Sequence, residues 1–106
     1  MITIYKYDIT DILVAMDSKM FTPDMTSIRM PRDAKILTVG MQKDRIVLWA
    51  EVNTEEPTVL RRFFVYGTGW PIDMIIAELK TKKHDYVGTV FDGAFVWHVY
   101  DGGEAE

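Results

Sequence analysis

The sequence predicts an α+β fold: a mostly antiparallel β-sheet of about six or seven strands, forming a small sandwich or a curled sheet, with one helix covering an end or a face. Three observations lead to this fold class. Runs of alternating apolar and polar residues recur along most of the chain. The connections between these runs are too short for the crossovers of a parallel sheet. One segment after residue 70 instead has its isoleucines at helical spacing.

The first third of the chain is predicted to contain two strands. Alternation favours a strand at residues 2–7 and another at residues 25–30, which ends at Pro31. Between them, a stripe of apolar residues predicts a short helix at about residues 9–17. A β-rich interpretation of the same residues fits nearly as well, so both alternatives stay open on the sequence alone.

A β-hairpin is predicted at residues 36–51, with Lys43 and Asp44 as its turn. One face of this hairpin is wholly apolar, which marks it as the face toward the core. The other face is also more apolar than a solvated sheet surface, and Trp49 lies at its centre. The pairs expected on the core face are Met41 with Ile46, Val39 with Leu48, and Leu37 with Ala50.

The next strand, predicted at residues 59–66, has large apolar side chains on both faces. A second layer or another subunit must then cover each face. Trp49 and Phe64 are the predicted self-association residues, because a 106-residue monomer has little room to bury every large aromatic side chain. The chain is therefore expected to form a homo-oligomer.

The clearest helix is predicted at about residues 71–82. Pro71 suits the first helical position and Asp73 the first turn, where a carboxylate faces the positive end of the helix dipole. Lysines follow in the last turn, where cations are favourable. This helix is expected to cover the sheet.

Two final strands are predicted as a hairpin that turns at Asp92 and Gly93, a favoured two-residue turn. In this register, Val90 lies opposite Phe95. The same register places Gly88 opposite Trp97. The single domain spans residues 1–106, and its acidic tail, residues 101–106, is expected to fray.

The charge balance argues against a nucleic-acid partner. Twelve Lys and Arg stand against sixteen Asp and Glu, for a formal net charge of -4, and the basic residues form no extended patch. The absence of cysteine excludes thiol catalysis, zinc–cysteine sites and disulfides. No apolar run is long enough to cross a membrane and the N-terminus lacks the pattern of a signal peptide, so a soluble, intracellular protein without a membrane partner is expected.

No catalytic residue, metal or cofactor is predicted. A metal or acid–base site would need His84 and His98 to converge with a carboxylate such as Asp85 or Asp101. A strand histidine bonded to a neighbouring group is the commoner arrangement.

The candidate ligand site is the loop that follows the strand at residues 59–66. Its Gly-Thr-Gly sequence precedes the predicted helix, as in loops whose free amides bind phosphate, but it lacks the Walker lysine. A turn that needs positive φ explains the same glycines. An aromatic plate and two guanidinium groups nearby would suit a nucleotide or another small anion. The predicted ligand-binding residues are Arg61, Arg62, Tyr66, Gly67, Thr68, Gly69 and Trp70.

Five segments form a pattern: Lys-Ile-Leu-x-Val from residue 35, Leu-Trp-Ala-x-Val from 48, Gly-Thr-Gly-x-Pro-Ile from 67, Tyr-Val-Gly-Thr-Val from 86 and Val-Trp-His-Val from 96. Together they resemble a family of small uncharacterised proteins found largely in bacteriophage and prophage genomes. In that family a histidine often stands at the position of Trp70. The resemblance implies no activity; it implies an accessory phage protein acting in the host bacterial cytoplasm.

Three classes of function stay open. The first is a phage-derived, non-enzymatic binding protein that self-associates and either engages a host protein or sequesters a small nucleotide-like ligand, with a possible counter-defence role. The second is a small enzyme that acts on a nucleotide or sugar through His84 or His98. The third is a minor virion or assembly protein.

Overall fold

The computed structural model describes residues 1–10, 24–73 and 83–105. These residues form an all-β sandwich of two antiparallel sheets. The small sheet has the strand order β1-β4-β3 and the large sheet has the order β2-β5-β7-β6. The strands are β1 (Ile2–Asp8), β2 (Asp24–Pro31), β3 (Lys35–Gln42), β4 (Arg45–Asn53), β5 (Thr58–Gly67), β6 (Asp85–Asp92) and β7 (Phe95–Glu104).

The core lies between the two sheets. Because side chains alternate along a strand, every second residue of the central strands points into this layer. The largest fully buried side chains there include Phe63 from the large sheet and Leu48 from the small sheet. Burial of these side chains is the main stabilising contribution, at roughly 25 cal/mol for each Å² of apolar surface removed from water.

The predicted α+β class is wrong, because the described residues form no helical element. The sequence predicts a helix as the cover of the sheet, whereas the small sheet provides that cover. Pro71 and Ile72 lie outside any regular element, and residues 74–82 of the predicted helix lie outside the described residues. Within the described ranges, no helix is long and apolar enough to cross a membrane.

The predicted short helix at about residues 9–17 is also not observed where the structure describes it. Ile9 is buried in the core, and its N–H donates to the Ile46 carbonyl at 2.9 Å, which continues the β1–β4 pairing. The remaining residues, 11–17, lie outside the described part of the chain. The apolar character of Ile9 thus reflects its contact with the core between the sheets.

The β3–β4 hairpin has the predicted turn, with Lys43 at a φ of 55°. Its register changes at a bulge between Ile36 and Thr38, so Ile36, rather than Leu37, lies opposite Ala50. The expected Leu37–Ala50 pair is therefore wrong, and Leu37 is exposed. The confirmed pairs are Met41 with Ile46 and Val39 with Leu48.

The β6–β7 hairpin turns one residue later than predicted. Asp92 pairs with Phe95, which leaves Gly93 and Ala94 as the turn, and Gly93 has a φ of 59°. A two-residue hairpin turn needs positive φ at its first central position, and Gly93 provides it without steric cost. The register therefore shifts, and Val90 lies opposite Trp97 rather than Phe95.

Gly88 lies at a close approach between the two sheets. A Cβ at this position would lie 2.8 Å from Cγ1 of Val39 on β3, so only glycine leaves room for the Val39 side chain. The strand partner of Gly88 is Val99, not the predicted Trp97. The β3 and β6 strands pack against each other here and close one side of the sandwich.

Residues 101–104, predicted to fray, are instead the end of β7. Asp101 is 4% exposed, and beyond the strand the Ala105 N–H donates to the Leu60 carbonyl at 2.7 Å. A carboxylate is buried only when it is paired, and Arg61 provides the partner. The acidic composition of the tail favours exposure and gave no indication that Asp101 is buried.

Candidate functional site

The residues predicted to bind a ligand are separated by the geometry of β5. Successive side chains of a strand point to opposite faces, so Arg61 points into the sandwich whereas Arg62 and Tyr66 point to the outer face of the large sheet. Arg61 also lies about 20 Å along the strand from Gly67. The structure therefore does not bring Arg61 to the loop at Gly67–Trp70.

Arg61 is held by an ion pair with Asp101. Arg61 Nε donates to Asp101 Oδ1 at 2.9 Å, Nη2 donates to Oδ2 at 2.7 Å, and Nη1 donates to the Ala34 carbonyl at 2.9 Å. Burial alone would raise the pKa of Asp101, but hydrogen bonds from Arg61 and the Gly103 N–H outweigh it and the pKa is lowered. The guanidinium is thus committed to contacts within the chain.

A groove of about 550 Å³ opens above this ion pair, between the starts of β3 and β6. Its rim carries charges of both signs, several of them already partnered. Lys83 Nζ lies 3.0 Å from Asp85 Oδ2, and the Asp33 N–H donates to Glu104 Oε2 at 2.9 Å. Such a mixed rim does not select a ligand of one charge.

Three further predicted residues, Arg62, Phe64 and Trp49, lie at separate places in the structure. Arg62 Nη2 donates to the Glu104 carbonyl at 3.0 Å. Phe64 is 1% exposed and contacts the ring of His84, with 5.5 Å between centroids, so it is buried within its own chain. Trp49 is half-buried on the outer face of the small sheet, where its ring lies over Gly40.

The geometry of the turn from Gly67 to Trp70 explains both of its glycines. The Trp70 N–H donates to the Gly67 carbonyl at 3.1 Å, and the Trp70 ring lies so close that a Cβ on Gly67 would be 2.7 Å from it. Gly69 has a φ of 86°, which favours glycine. Trp70 also contacts Trp97 edge-on, with ring centroids 5.8 Å apart, so its indole packs at the end of the core.

A chain of hydrogen bonds crosses the outer face of the large sheet at His98. Thr68 Oγ1 lies 2.7 Å from His98 Nε2, and Thr89 Oγ1 lies 3.0 Å from His98 Nδ1. The Tyr86 hydroxyl is bonded in turn to Thr89. Both ring nitrogens of His98 therefore have hydroxyl partners, and no carboxylate among the described residues bonds to it.

His84 joins a second, aromatic cluster on the same face. Its ring stacks on Tyr100 with centroids 4.3 Å apart, and its Nε2 lies 2.7 Å from the Tyr66 hydroxyl. Burial raises the pKa of Tyr66 to about 12, with a smaller contribution from Tyr100. Burial also lowers the pKa of His84, and the charge of Asp85 opposes this shift. At neutral pH, the imidazole bonded to the Tyr66 hydroxyl is therefore uncharged.

Residues from both networks line a depression of about 260 Å³, which we call the corner site. No Asp, Glu, Lys or Arg side chain is found among the described residues that line it. Within residues 1–10, 24–73 and 83–105, no cluster of His, Asp and Glu could hold a metal ion. The corner site thus offers aromatic rings, hydroxyls and an imidazole. Its lining includes Tyr66, Thr68, Trp70, Ile72, His98 and Tyr100.

Three residues of the corner site, Ile72, His98 and Tyr100, are not among the ligand-binding residues predicted from the sequence, where His98 is considered only for a metal or catalytic site. His98 and Tyr100 lie on β7, and Tyr66 of β5 is directly opposite His98. Pairing of β5 with β7 is a long-range contact that no local pattern indicates. The alternation of Tyr100 and His98 along one face of β7 was the signal that could have found them.

Comparison with known proteins identifies a family but no activity. No curated protein and no solved structure matches this chain. The model of a domain of unknown function, DUF7352, matches residues 1–106. The chain therefore belongs to this uncharacterised family.

Proposed function

We propose that this protein is a non-enzymatic binding protein that self-associates and sequesters a small nucleotide-like ligand at the corner site. The supporting observation is the convergence of aromatic rings and bonded hydroxyls on a depression whose described lining has no charged side chain. Aromatic rings stack on planar bases, and hydroxyls and imidazole bond to sugar hydroxyls. Binding pockets commonly combine such apolar walls with a few placed polar groups.

The positions of the two arginines indicate which part of a nucleotide the corner site recognises. Arg61 is held by Asp101, and Arg62 donates to Glu104, so neither of the predicted guanidinium groups faces the corner site. A phosphate is normally bound by cations or by free amides. The base and sugar therefore supply recognition, and any phosphate of the ligand points to solvent.

Binding constants for nucleosides and nucleotides test this proposal. Calorimetric titration with adenosine, guanosine, cytidine, uridine and their 5′-monophosphates should show one base preferred, with the nucleoside and its monophosphate bound within about threefold of each other. Thr68→Val should weaken binding about tenfold, because one good hydrogen bond to a ligand contributes on this scale. Thr38→Val, on the small sheet, is the matched control and should bind as the wild type does.

The same titration can contradict the proposal in two ways. Failure of every nucleoside and nucleotide to bind at millimolar concentration would refute a nucleotide-like ligand. A preference of more than tenfold for the monophosphate would refute recognition through the uncharged groups. Recovery of the ligand with unchanged mass supports sequestration rather than turnover.

One contact favours the second candidate function, a small enzyme acting on a nucleotide or sugar. The Thr68 hydroxyl lies 2.7 Å from His98 Nε2, the arrangement in which an imidazole can activate a nucleophile. The group that orients His98 is the Thr89 hydroxyl rather than the carboxylate of a hydrolytic triad. Product formation from any nucleotide, lost in His98→Ala, would establish the enzyme and overturn the binding proposal.

The phage context belongs to the same proposal. The resemblance stated from the sequence leads us to place the protein in the host bacterial cytoplasm, as an accessory phage protein. Sequestering a nucleotide-like signal there is one route to counter-defence. Growth of a phage carrying the Thr68→Val variant, compared with a phage carrying Thr38→Val, tests whether the corner site serves this role.

A further inference from the structure

The edge strands of the two sheets differ in how they are protected. β3 and β6 pack against each other, and each is interrupted by a bulge. β2 ends at Pro31 and carries the exposed Arg29. β1 has no proline, and its register with β4 is uninterrupted from Ile2 to Asp8. Bulges, prolines and charges stop an edge strand from pairing with another chain. β1 carries the charges of Lys6 and Asp8 but has neither a bulge nor a proline, so among the described strands it is the least protected edge.

The hydrogen bonds of β1 show which of its backbone groups face outward. The Ile9 N–H donates to the Ile46 carbonyl, and the Met1 carbonyl accepts from the Thr54 N–H, both at 2.9 Å. Bonded and unbonded residues alternate along an antiparallel pair, so odd-numbered residues bond to β4. Within the part of the chain that the structure describes, β1 pairs with β4 alone. The residues that direct N–H and carbonyl groups outward are Ile2, Ile4, Lys6 and Asp8.

Apolar side chains flank these outward groups. On the outer face of the small sheet, Ile2 is 69% exposed and Ile4 is 57% exposed. On the opposite face of β1, Tyr5 is 43% exposed. A second strand laid along this edge would cover apolar surface on both faces while bonding the outward backbone groups.

We propose that β1 pairs antiparallel with β1 of a second copy of this chain, about a two-fold axis. Two small sheets then form one continuous sheet of six strands, three from each copy. An antiparallel pair of identical strands is self-complementary under such an axis. An axis at Tyr5 pairs all residues of Ile2–Asp8 and bonds only the even-numbered ones, which are the residues whose backbone groups are not bonded to β4.

This register is also acceptable for side chains. It sets Ile4 opposite Lys6 and Ile2 opposite Asp8, so no like charges are directly opposed. A register centred on Lys6 would place two ammonium groups opposite each other. Trp49 lies on β4 next to Lys6, one strand in from the new interface.

The inference deepens the self-association in the proposed function and rests on that part of it. The corner site is on the large sheet, whereas β1 is on the small sheet. Ligand binding and assembly can therefore be measured, and can fail, separately. A dimer that binds no nucleoside refutes the ligand alone, and a monomer that binds one refutes the assembly alone.

Sedimentation equilibrium and backbone amide exchange test the pairing. The wild type should have twice the chain mass of 12.3 kDa, and Ile4→Pro should have the mass of one chain. Proline is tolerated at an edge position whose N–H faces outward, because the β1–β4 bonds use other residues. Ile4→Val is the matched control and should remain a dimer.

Amide exchange gives a readout that does not depend on a variant folding. On dilution of the wild type from dimer to monomer, the amides of Ile4, Lys6 and Asp8 should lose protection. The amides of Thr3, Tyr5 and Tyr7 should keep theirs, since they bond to β4 throughout. A wild type that is monomeric up to millimolar concentration, or a dimer whose Ile4 and Lys6 amides exchange freely, would overturn the proposal.

Discussion

The two ends of the β5–β7 pair hold polar groups in different ways. At one end, the charges of Arg61 and Asp101 are buried and bonded to each other. At the other end, Tyr66 and His98 lie opposite each other, and their partners are an imidazole and hydroxyls without formal charge. Charge is used for structure at the first end, whereas the second end, which we call the uncharged end, is partly open and has no charged side chain among its described lining residues. The comparison separates stability from binding along a single pair of strands.

The largest effect is expected from breaking the buried pair. Arg61→Met leaves the Asp101 carboxylate buried without its partner, which typically costs about 3–5 kcal/mol of the free energy of unfolding. Urea denaturation followed by tryptophan fluorescence measures this loss. The nucleoside affinity of the fraction that stays folded should be unchanged, because Arg61 does not line the corner site.

A double variant distinguishes the charge from the packing. Arg61→Met combined with Asp101→Leu removes both charges and should recover much of the loss, since well-packed apolar pairs replace buried ion pairs at little cost. If the double variant is as unstable as Arg61→Met, the ion pair is not the cause. Weaker nucleoside binding by either variant would contradict the separation of the two ends.

The sequence predicted the strands of this sandwich better than their partners. Alternation located β1 and the β3–β4 turn at Lys43, because both are local patterns. It could not show that β7 lies beside β5, since that pairing joins distant parts of the chain. Nearness in the sequence favours one site for Arg61 and Gly67, although an extended strand holds residues six positions apart about 20 Å from each other. The predicted α+β class was wrong because, among the described residues, a second sheet covers the core.

At the uncharged end, the test of packing is Gly67→Ala. The new methyl group would lie 2.7 Å from the Trp70 indole, and such overpacking typically costs about 1–3 kcal/mol. Thermal and urea denaturation measure the loss. Gly40→Ala is the control, since its methyl group would be in ordinary contact, at 3.4 Å from the Trp49 ring, and should change stability little.

The contact with Trp70 can be isolated by a double-mutant cycle. In a Trp70→Leu background, Gly67→Ala should cost much less than in the wild type, because the indole no longer occupies the space. Equal costs in both backgrounds would assign the effect to the backbone of the turn and not to Trp70.

A pH effect of intermediate size is expected from His84. Its pKa is lowered by burial, so folding favours the uncharged ring. For such a histidine, stability is fully present above the unfolded pKa of about 6.5 and is lost as the pH falls below it. The free energy of unfolding should therefore decrease between about pH 7.5 and pH 5, and the decrease should be smaller in His84→Gln. Identical pH profiles for the two proteins would contradict a titrating His84 at the uncharged end.

The smallest effect is expected from an exposed ion pair, the counterpart of Arg61–Asp101. Arg45 Nε lies 2.6 Å from Asp8 Oδ2, but the two side chains are 53% and 42% exposed. The hydrogen bond from Arg45 lowers the pKa of Asp8 to about 2 against the opposing effect of burial. This stabilisation should be present above about pH 4 and be lost as the pH falls toward 2.

Solvent screening limits this pair, so Arg45→Gln should cost at most about 1 kcal/mol near neutral pH, and less in high salt. Urea denaturation at two salt concentrations measures it beside Arg61→Met. If the two substitutions cost the same, burial is not what makes the Arg61–Asp101 pair important. A much larger cost for Arg61→Met, insensitive to salt, would tie the charged end of β5–β7 to the integrity of the fold and leave recognition to the uncharged end.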